Sequence, residues 1–364
     1  MWRDARPTFA EPGPQGRPIP TALKRLRILY LVNEEKVPPE SLEGLSPEQR
    51  TFVQVEFDVL ATLRELGHEI RVVGVPDELA PVRHAIDEFD PHVAFNLVMH
   101  MHGVGVYDAN LVSWLELRKL AYTGTNPRGL LVAHDKALSK KILSYHRIRV
   151  PRFAVFPHRR TVRRPKRLAF PLIVKALDEH ASMGISQASI VNDDAALAER
   201  VEFIQRNVSP SAIAEQYIPG RELNIGVLGN HRLQVGPVWE LFFPNLPKGS
   251  EPIATSAAKW NKAYQKRIGL RSGIAEDLSP EQQTELARLA KRVYRVLGLS
   301  GYARIDLRMD EAGRAYVLEA NPNPDLSFGE DFAEAFEQVG YRYSELVQKI
   351  VTLGQSYDAP WKLA

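Results

Sequence analysis

A chain of 364 residues exceeds what one hydrophobic core normally organises, so two or three packed units are expected. Hydrophobic residues make up 44% and charged residues 25%, the balance of an ordinary soluble globular protein, and a net charge of +3 carries no nucleic-acid signal. The sequence has no cysteine, which excludes disulfides, thiolate nucleophiles and cysteine-based zinc sites. Met1 to Pro20 is rich in Pro, Gly and Arg and lacks an apolar core segment, so it reads as a poorly ordered tail and not as a secretory signal. No stretch approaches the roughly 20 apolar residues of a membrane helix. A cytoplasmic protein with neither nucleic-acid nor membrane partners is the expectation.

The first half alternates strands and helices. Arg27 to Val32 reads as a strand, Val53 to Leu66 as an amphipathic helix closed by Gly67, and Glu69 to Val75 and His92 to Val98 as two further strands with a helix between them. That βαβαβ order predicts a parallel sheet covered on both faces. The polar segment after Asn33, through Arg50, reads as a long inserted loop. His100 and His102 read as ordinary loop histidines, with a metal pair as the alternative. A helix is expected near Tyr107 to Leu117, and another opening at Asp135 that carries Lys136, Lys140 and Lys141. Strands follow near Phe153–Phe156 and Pro171–Leu177, separated by a basic stretch, Arg159 to Arg167, that reads as a solvated loop. Ile185–Val191 is expected as a strand, Asp193–Arg206 as a helix, and Ala212–Ile218, Arg221–Leu228 and His231–Leu241 as strands. Ser279 and Pro280 open a long helix to Leu297. A hairpin and two closing helices complete the chain.

The hairpin, Tyr302 to Arg308 and Ala315 to Asn321, is the most informative segment. In its first arm Ile305 and Leu307 point one way and Arg304, Asp306 and Arg308 the other. In the second arm, alternation groups Val317, Glu319 and Asn321. A two-residue Ala312-Gly313 turn puts position 310 opposite 315, hence Asp306 opposite Glu319 and Arg304 opposite Asn321; a three-residue loop would shift these pairs. Two carboxylates across a strand pair repel unless a cation lies between them. Hard oxygen ligands without His or Cys select Mg²⁺, or Mn²⁺, over zinc. Read blandly, the segment is a surface hairpin with coincidental charges.

This "RID…LEAN" segment resembles the metal-binding hairpin of ATP-grasp ligases, especially D-alanine–D-alanine ligases. "AYTGTNPRGLLVAHDKALSKKIL", "FPLIVKALDEHASMGIS", "AEQYIPGREL" and "SAAKW" resemble further segments of that family, in the family's order, over roughly residues 25 to 352. The resemblance implies an α/β (α+β) ATP-grasp fold, with a tail 1–24, an N-terminal α/β unit 25–134, a central subdomain 135–218, a C-terminal subdomain 219–354 holding the hairpin, and a tail 355–364. It implies that ATP is bound by Lys136, Lys175, Ser182, Gly184, Glu215, Ile218, Glu222 and Lys259. It implies that Mg²⁺ is held by Asp306, Glu319 and Asn321, with Arg304 and Lys259 as catalytic residues. The implied substrates are a small carboxylate and an amine, amino acids in kind, and a homodimer is an admissible assembly.

The departures concern the substrate. After the metal asparagine the family's Pro-Gly-Met-Thr is replaced by Pro322-Asn323-Pro324-Asp325-Leu326-Ser327, so Asp325 and Ser327 enter the expected acceptor site; Asp325 could recruit a cationic acceptor or merely cap a turn. Of a Glu–Ser–Tyr triad, the serine position is Ala181, the tyrosine position is Trp260, and the glutamate position falls at Glu34 without its usual Gly-Gly-x-Ser setting. The expected activity is an ATP-dependent carboxylate–amine (amino-acid or peptide) ligase acting through an acyl phosphate and releasing ADP and phosphate. A phosphotransferase and a non-catalytic nucleotide-binding module are the alternatives.

Overall fold

The computed structural model describes residues 24–178 and 183–363; the expectations for Met1 to Pro20, Ala181 and Ser182 lie outside the described residues. β1 (Arg27–Asn33), β2 (Glu69–Val75) and β3 (Val93–Asn96) form a parallel sheet in the order β2-β1-β3, interleaved by α1 (Pro47–Glu65) and α2 (Ala80–Phe89). Ile28, Tyr30 and Val32 of β1 enter a core with Val59, Leu60 and Leu63 of α1, whereas Leu29 and Leu31 enter a second core with Val82 and Ala85 of α2. Such alternation marks a strand buried on both faces. α1 begins earlier than the apolar periodicity indicates, because Ser46 and Gln49 cap each other's backbone around Pro47. The loop expected after Asn33 is correspondingly shorter, and it opens with a single 3₁₀ turn at Glu34–Lys36.

α3 (Asp108–Leu117) leads to α4 (Pro127–His134) and α5 (Lys136–Tyr145). Asn126 caps α4 through the Gly129 N–H at 3.0 Å, and Asp135 caps α5 through the N–H groups of Ala137 and Leu138. A second, antiparallel sheet of β4 (Phe153–Phe156), β5 (Leu172–Ala176), β6 (Ile190–Val191) and β7 (Ala212–Gln216) runs in the order β4-β7-β5-β6, and α6 (Asp194–Asn207) lies across one face. The strand expected from Ile185 shrinks to β6, because Gln187–Ser189 forms a 3₁₀ turn capped by Ser186. The basic stretch is largely exposed loop, with Arg164 paired to Asp194 at 2.7 Å and stacked on Phe170.

The third sheet contains β8 (Arg221–Leu228), β9 (Gln234–Val235), β10 (Trp239–Phe242), β11 (Arg271–Ile274), β12 (Tyr302–Met309) and β13 (Ala315–Pro322), in the order β11-β10-β8-β12-β13 with β9 beside β8. The region expected as one strand from His231 to Leu241 is thus two short pieces. α7 (Ser256–Trp260) and α8 (Lys262–Ile268) lie between β10 and β11, and α9 (Pro280–Val296) starts at its Ser279 cap as anticipated. Leu286, Ala290 and Val293 of α9 pack on Leu223, Ile225, Ile305, Leu307 and Val317. On the opposite face Leu228 and Tyr302 pack with Phe332 and Phe336, and the rest of β8, β12 and β13 carries polar side chains.

After α10 (Asp331–Glu337), α11 (Tyr343–Ser356) returns to the first sheet, where Leu346, Val347 and Ile350 join the core of Ile28, Val93 and Phe95; α12 (Pro360–Leu363) follows. Among the described residues no helix is long and apolar enough to cross a membrane. Gly354 of α11 crosses the backbone after α3 so closely that an added Cβ would lie 2.5 Å from Tyr122 O and 3.0 Å from Thr123 Cα. Gly354→Ala improves helix propensity by about 1 kcal/mol, but it overpacks backbone against backbone at a cost of about 1–3 kcal/mol. A fall in Tm is expected in a thermal melt; a rise would show that α11 shifts freely.

Candidate active site

Asp306 pairs opposite Glu319 and Arg304 opposite Asn321, as the pattern of the hairpin predicts. The route to that register differs from the expected one. The tip is a five-residue connection, Asp310 to Arg314, in which Asp310 Oδ1 accepts from the N–H groups of Ala312 (3.1 Å) and Arg314 (2.9 Å), and Met309 pairs with Ala315. An odd loop displaces the pairing by one residue, and a bulge at Leu318 displaces it back. Val317 therefore faces Leu307 in the core, while Glu319 turns to the polar face beside Asp306. The expected grouping of Val317 with Glu319 is corrected by that bulge.

The displaced backbone groups are satisfied: Val317 N–H donates to Arg149 O at 2.9 Å, and Leu318 O accepts from Lys140 Nζ. Lys140, 1% exposed, also lies 2.9 Å from Glu215 Oε1, and Lys175 Nζ lies 3.3 Å from Glu215 Oε2. The Lys140 contact is off the hydrogen-bonding direction, so Oε1 is buried without an aligned donor. Burial raises the Glu215 carboxyl, but Lys140 and Lys175 outweigh it and hold Glu215 below its ordinary value. Burial lowers Lys140 despite Glu215, whereas for Lys175 the same burial is overcome by Glu215 and Glu319. One turn earlier on α5, Lys136 Nζ is 3.6 Å from Glu319. Sequence reasoning missed Lys140; its signal was the four-residue spacing from Lys136, which places both ammoniums on one helix face.

Arg304 grips Asp306 with two bonds, Nε to Oδ1 at 2.8 Å and Nη2 to Oδ2 at 2.9 Å. Asn321 Nδ2 donates to Asp306 Oδ2 at 2.8 Å and reaches Glu319 Oε1 at 3.4 Å. Burial raises Asp306, opposed by Arg304 and reinforced by Glu319. Two positions along β12, the buried Arg308 donates to Glu222 Oε2 (3.0 Å), Pro252 O (2.9 Å) and Gly220 O (2.7 Å). Glu222 is raised by burial, with Arg308 opposing. Arg308, a second residue missed as a site component, was already on the polar face by alternation.

Gly184, at φ +71°, is anchored to α6 because Arg200 donates to its carbonyl and to Ser189 Oγ. The next residue, Ile185, accepts from Ser256 N at 2.9 Å, and the Gln187 amide bonds Glu251 N and O, both at 2.9 Å. These bonds join the segment after Gly184 to the one leading into α7, which carries Lys259. Lys259 is exposed as a residue, with Nζ 5.4 Å from the centre of the Trp260 ring. Lost hydration first, and then the Arg304 charge, lower its pKa.

Ile218 is buried, and among the described residues neither its N–H nor its C=O has a hydrogen-bond partner. Glu34 is exposed beside Gly74 near the end of β2. Asp325 Oδ1 accepts from Ser327 N (2.8 Å) and Ser327 Oγ (2.7 Å), so it caps its own turn and the serine hydroxyl is spent there. His100 and His102 pair with different acids, Glu35 and Asp77.

A polar sheet face opposed by Lys175 of the second sheet and by Lys136 and Lys140 of α5, with a parallel α/β unit alongside, defines an ATP-grasp enzyme. Residues 142–352 match the family model for the D-ala D-ala ligase C-terminus. A D-alanine–D-alanine ligase of Bordetella petrii is 32% identical over 258 residues, 69% of this chain and 73% of that protein. The uncharacterized protein y4sG of Sinorhizobium fredii is 30% identical over 303 residues, 82% and 86% of the two chains. The crystal structure of the Bacillus anthracis D-alanine–D-alanine ligase complexed with ATP shares the fold, with a TM-score of 0.68, 21% identity, and coverage of 90% of this chain and 97% of that one. The chain belongs to the D-alanine–D-alanine ligase family, whose members are ATP-dependent ligases forming carbon–nitrogen bonds.

Lys140→Met leaves Glu215 with one cation and Leu318 O without its donor. Breaking a buried pair in this way costs about 3–5 kcal/mol, and urea unfolding is expected to show a loss of that order. A loss below about 1 kcal/mol would show that the ion group does not hold the two sheets together.

Proposed function

We propose that the protein is a Mg²⁺-ATP-dependent carboxylate–amine ligase for amino-acid or peptide-like substrates, working through an acyl phosphate. The observation that carries this reading is the meeting of two opposed carboxylates, Asp306 and Glu319, with Asn321 and Arg304 on one polar face. Lys136 and Lys175 line the same cleft, and Lys259 is close enough to feel the charges of Arg304 and Asp306.

The donor set suits a hard divalent cation. Asp306 and Glu319 already converge on one electropositive point, the Asn321 amide nitrogen. Two carboxylates and one amide suit Mg²⁺, which keeps waters and substrate phosphates in its shell. Bound by Asp306, Glu319 and Asn321, Mg²⁺ or Mn²⁺ supplies charge neutralisation at the phosphates. The buried Glu215 Oε1, lacking an aligned donor, suits an exocyclic amino group of adenine, and the free backbone of Ile218 suits the ring edge. In this reading Glu222, held by Arg308, would accept from the ribose hydroxyls, and Lys136, Lys175 and Lys259 would bind the phosphate oxygens.

In this reading an oxygen of the substrate carboxylate attacks the γ-phosphorus and ADP departs. The amine then attacks the acyl carbon, loses a proton, and phosphate departs. Arg304 stabilises the oxyanion between those two events. The segments around Gly184 and Lys259 exclude water, which would otherwise hydrolyse the acyl phosphate. Asp325 and Trp260, standing where the D-alanine–D-alanine pattern has glycine and tyrosine, favour a ligase with a different acceptor over D-alanine dimerisation.

ADP release measured across a matrix of D- and L-amino acids and amines, with product mass, tests this reading. Release that requires both an acid and an amine is expected; release with one substrate and a stable phosphorylated product would identify a phosphotransferase instead. Asp306→Asn is expected to lower Mg²⁺-dependent turnover by about 100-fold or more with an unchanged circular dichroism spectrum. Near-normal turnover would sink the metal assignment.

A further inference from the structure

Where α1 faces the segment following β13, four carboxylates gather. Asp58 Oδ2 accepts from Phe328 N at 3.0 Å and its Oδ1 from Gln54 at 2.7 Å, which stitches the two segments together. Asp325 spends Oδ1 on Ser327 and is exposed, with Oδ2 bonded to nothing among the described residues. Glu330 stands exposed at the far end of the same loop, ahead of α10. Glu56 is 1% exposed, and its Oε2 is buried with no hydrogen-bond partner.

A buried carboxylate oxygen left unsatisfied is costly, and it points to a partner that the chain does not supply. Among the described residues the four acids make one ion pair, Lys36 to Glu56 at 3.8 Å. The charge of Lys259 also reaches Asp325 and Glu330, and Lys259 feels that of Arg304 as well. The hydroxyl of Tyr302, fully buried and also unpartnered, feels the Asp325 charge from β12, the strand that carries Arg304 and Asp306. The acids therefore adjoin the proposed reaction centre. Burial, opposed by Lys36 and reinforced by Asp325, holds Glu56 up at about 7, and burial holds Asp58 up at about 6, the behaviour of acids short of positive charge.

We propose that Glu56, Asp58, Asp325 and Glu330 form a subsite for a cationic group of the amine substrate, so that the acceptor is a diamine or a basic amino acid. An ammonium carries three donors and a full charge. At this subsite it would offer hydrogen bonds and charge to Glu56 Oε2 and Asp325 Oδ2, acids that already feel one another, which a neutral side chain cannot match. The inference rests on the ligase reading for its place in catalysis, but charge selection is read from binding alone.

Calorimetric titration of the full chain with Mg²⁺ and a non-hydrolysable ATP analogue compares lysine with norleucine, both enantiomers, and 1,4-diaminobutane with 1-aminobutane. Within each pair the members differ chiefly in one positive charge. The cationic member is expected to bind at least about 10-fold tighter. Asp325→Asn, which retains an acceptor for Ser327, is expected to reduce that ratio below about 3-fold, and Glu56→Gln provides a second, isosteric variant. Equal binding within both pairs, binding of no member, or an undiminished ratio in both variants overturns the proposal. ADP release that shows no charge preference while still requiring acid and amine removes this subsite and leaves the ligase reading standing. Absence of ADP release, with selective lysine binding intact, removes the ligase reading and leaves the cation subsite.

Discussion

Lys140 sits where the polar sides of two sheets come together. It donates to the bulged carbonyl of Leu318 on the hairpin and lies 2.9 Å from Glu215 on β7. Burying an ammonium this deeply is unfavourable unless opposite charge and acceptors surround it; Glu215 supplies the charge and Leu318 O an acceptor. Lys175 completes the balance from β5. The hairpin is thereby fixed relative to the second sheet, and the bulge that directs Glu319 to the polar face has its carbonyl satisfied. Without that bulge, the odd tip would leave Asp306 opposed by an apolar residue.

Much of the architecture was legible in the sequence because the decisive signals were local. Ser279-Pro280 announces its helix by capping chemistry, and the Arg27, Glu69 and Arg221 strands by β-rich composition between turn residues. What escaped was set by caps or tertiary contact. α4 is short, and its start depends on an Asn126 cap. Residues 185–189 have strand-like composition, yet Ser186 and Ser189 exchange bonds that close a turn. α1 begins well before its first inward-facing apolar residue, so periodicity alone starts it too late.

The candidate site was legible to a similar degree and for related reasons. Alternation within each arm placed Arg304, Asp306 and Arg308 together. The pairing of Asp306 with Glu319 came out as expected although the tip was misjudged, since a loop one residue off and a bulge of one residue cancel. Pairing alone cannot reveal such cancelling errors; the side on which Val317 falls does. Lys140 and Glu56 were silent as site residues for another reason. Their meaning lies in what they meet across the fold, the former a carboxylate and a stray carbonyl, the latter a single lysine that leaves its Oε2 without a hydrogen bond.

The bonds between Ile185 and Ser256, and between Gln187 and Glu251, have a kinetic side. In the proposed reaction, two segments from separate sheets that share hydrogen bonds would swing as one shutter, so that nucleotide entry and ADP exit would meet a single common barrier, coupled to whatever loosens either edge.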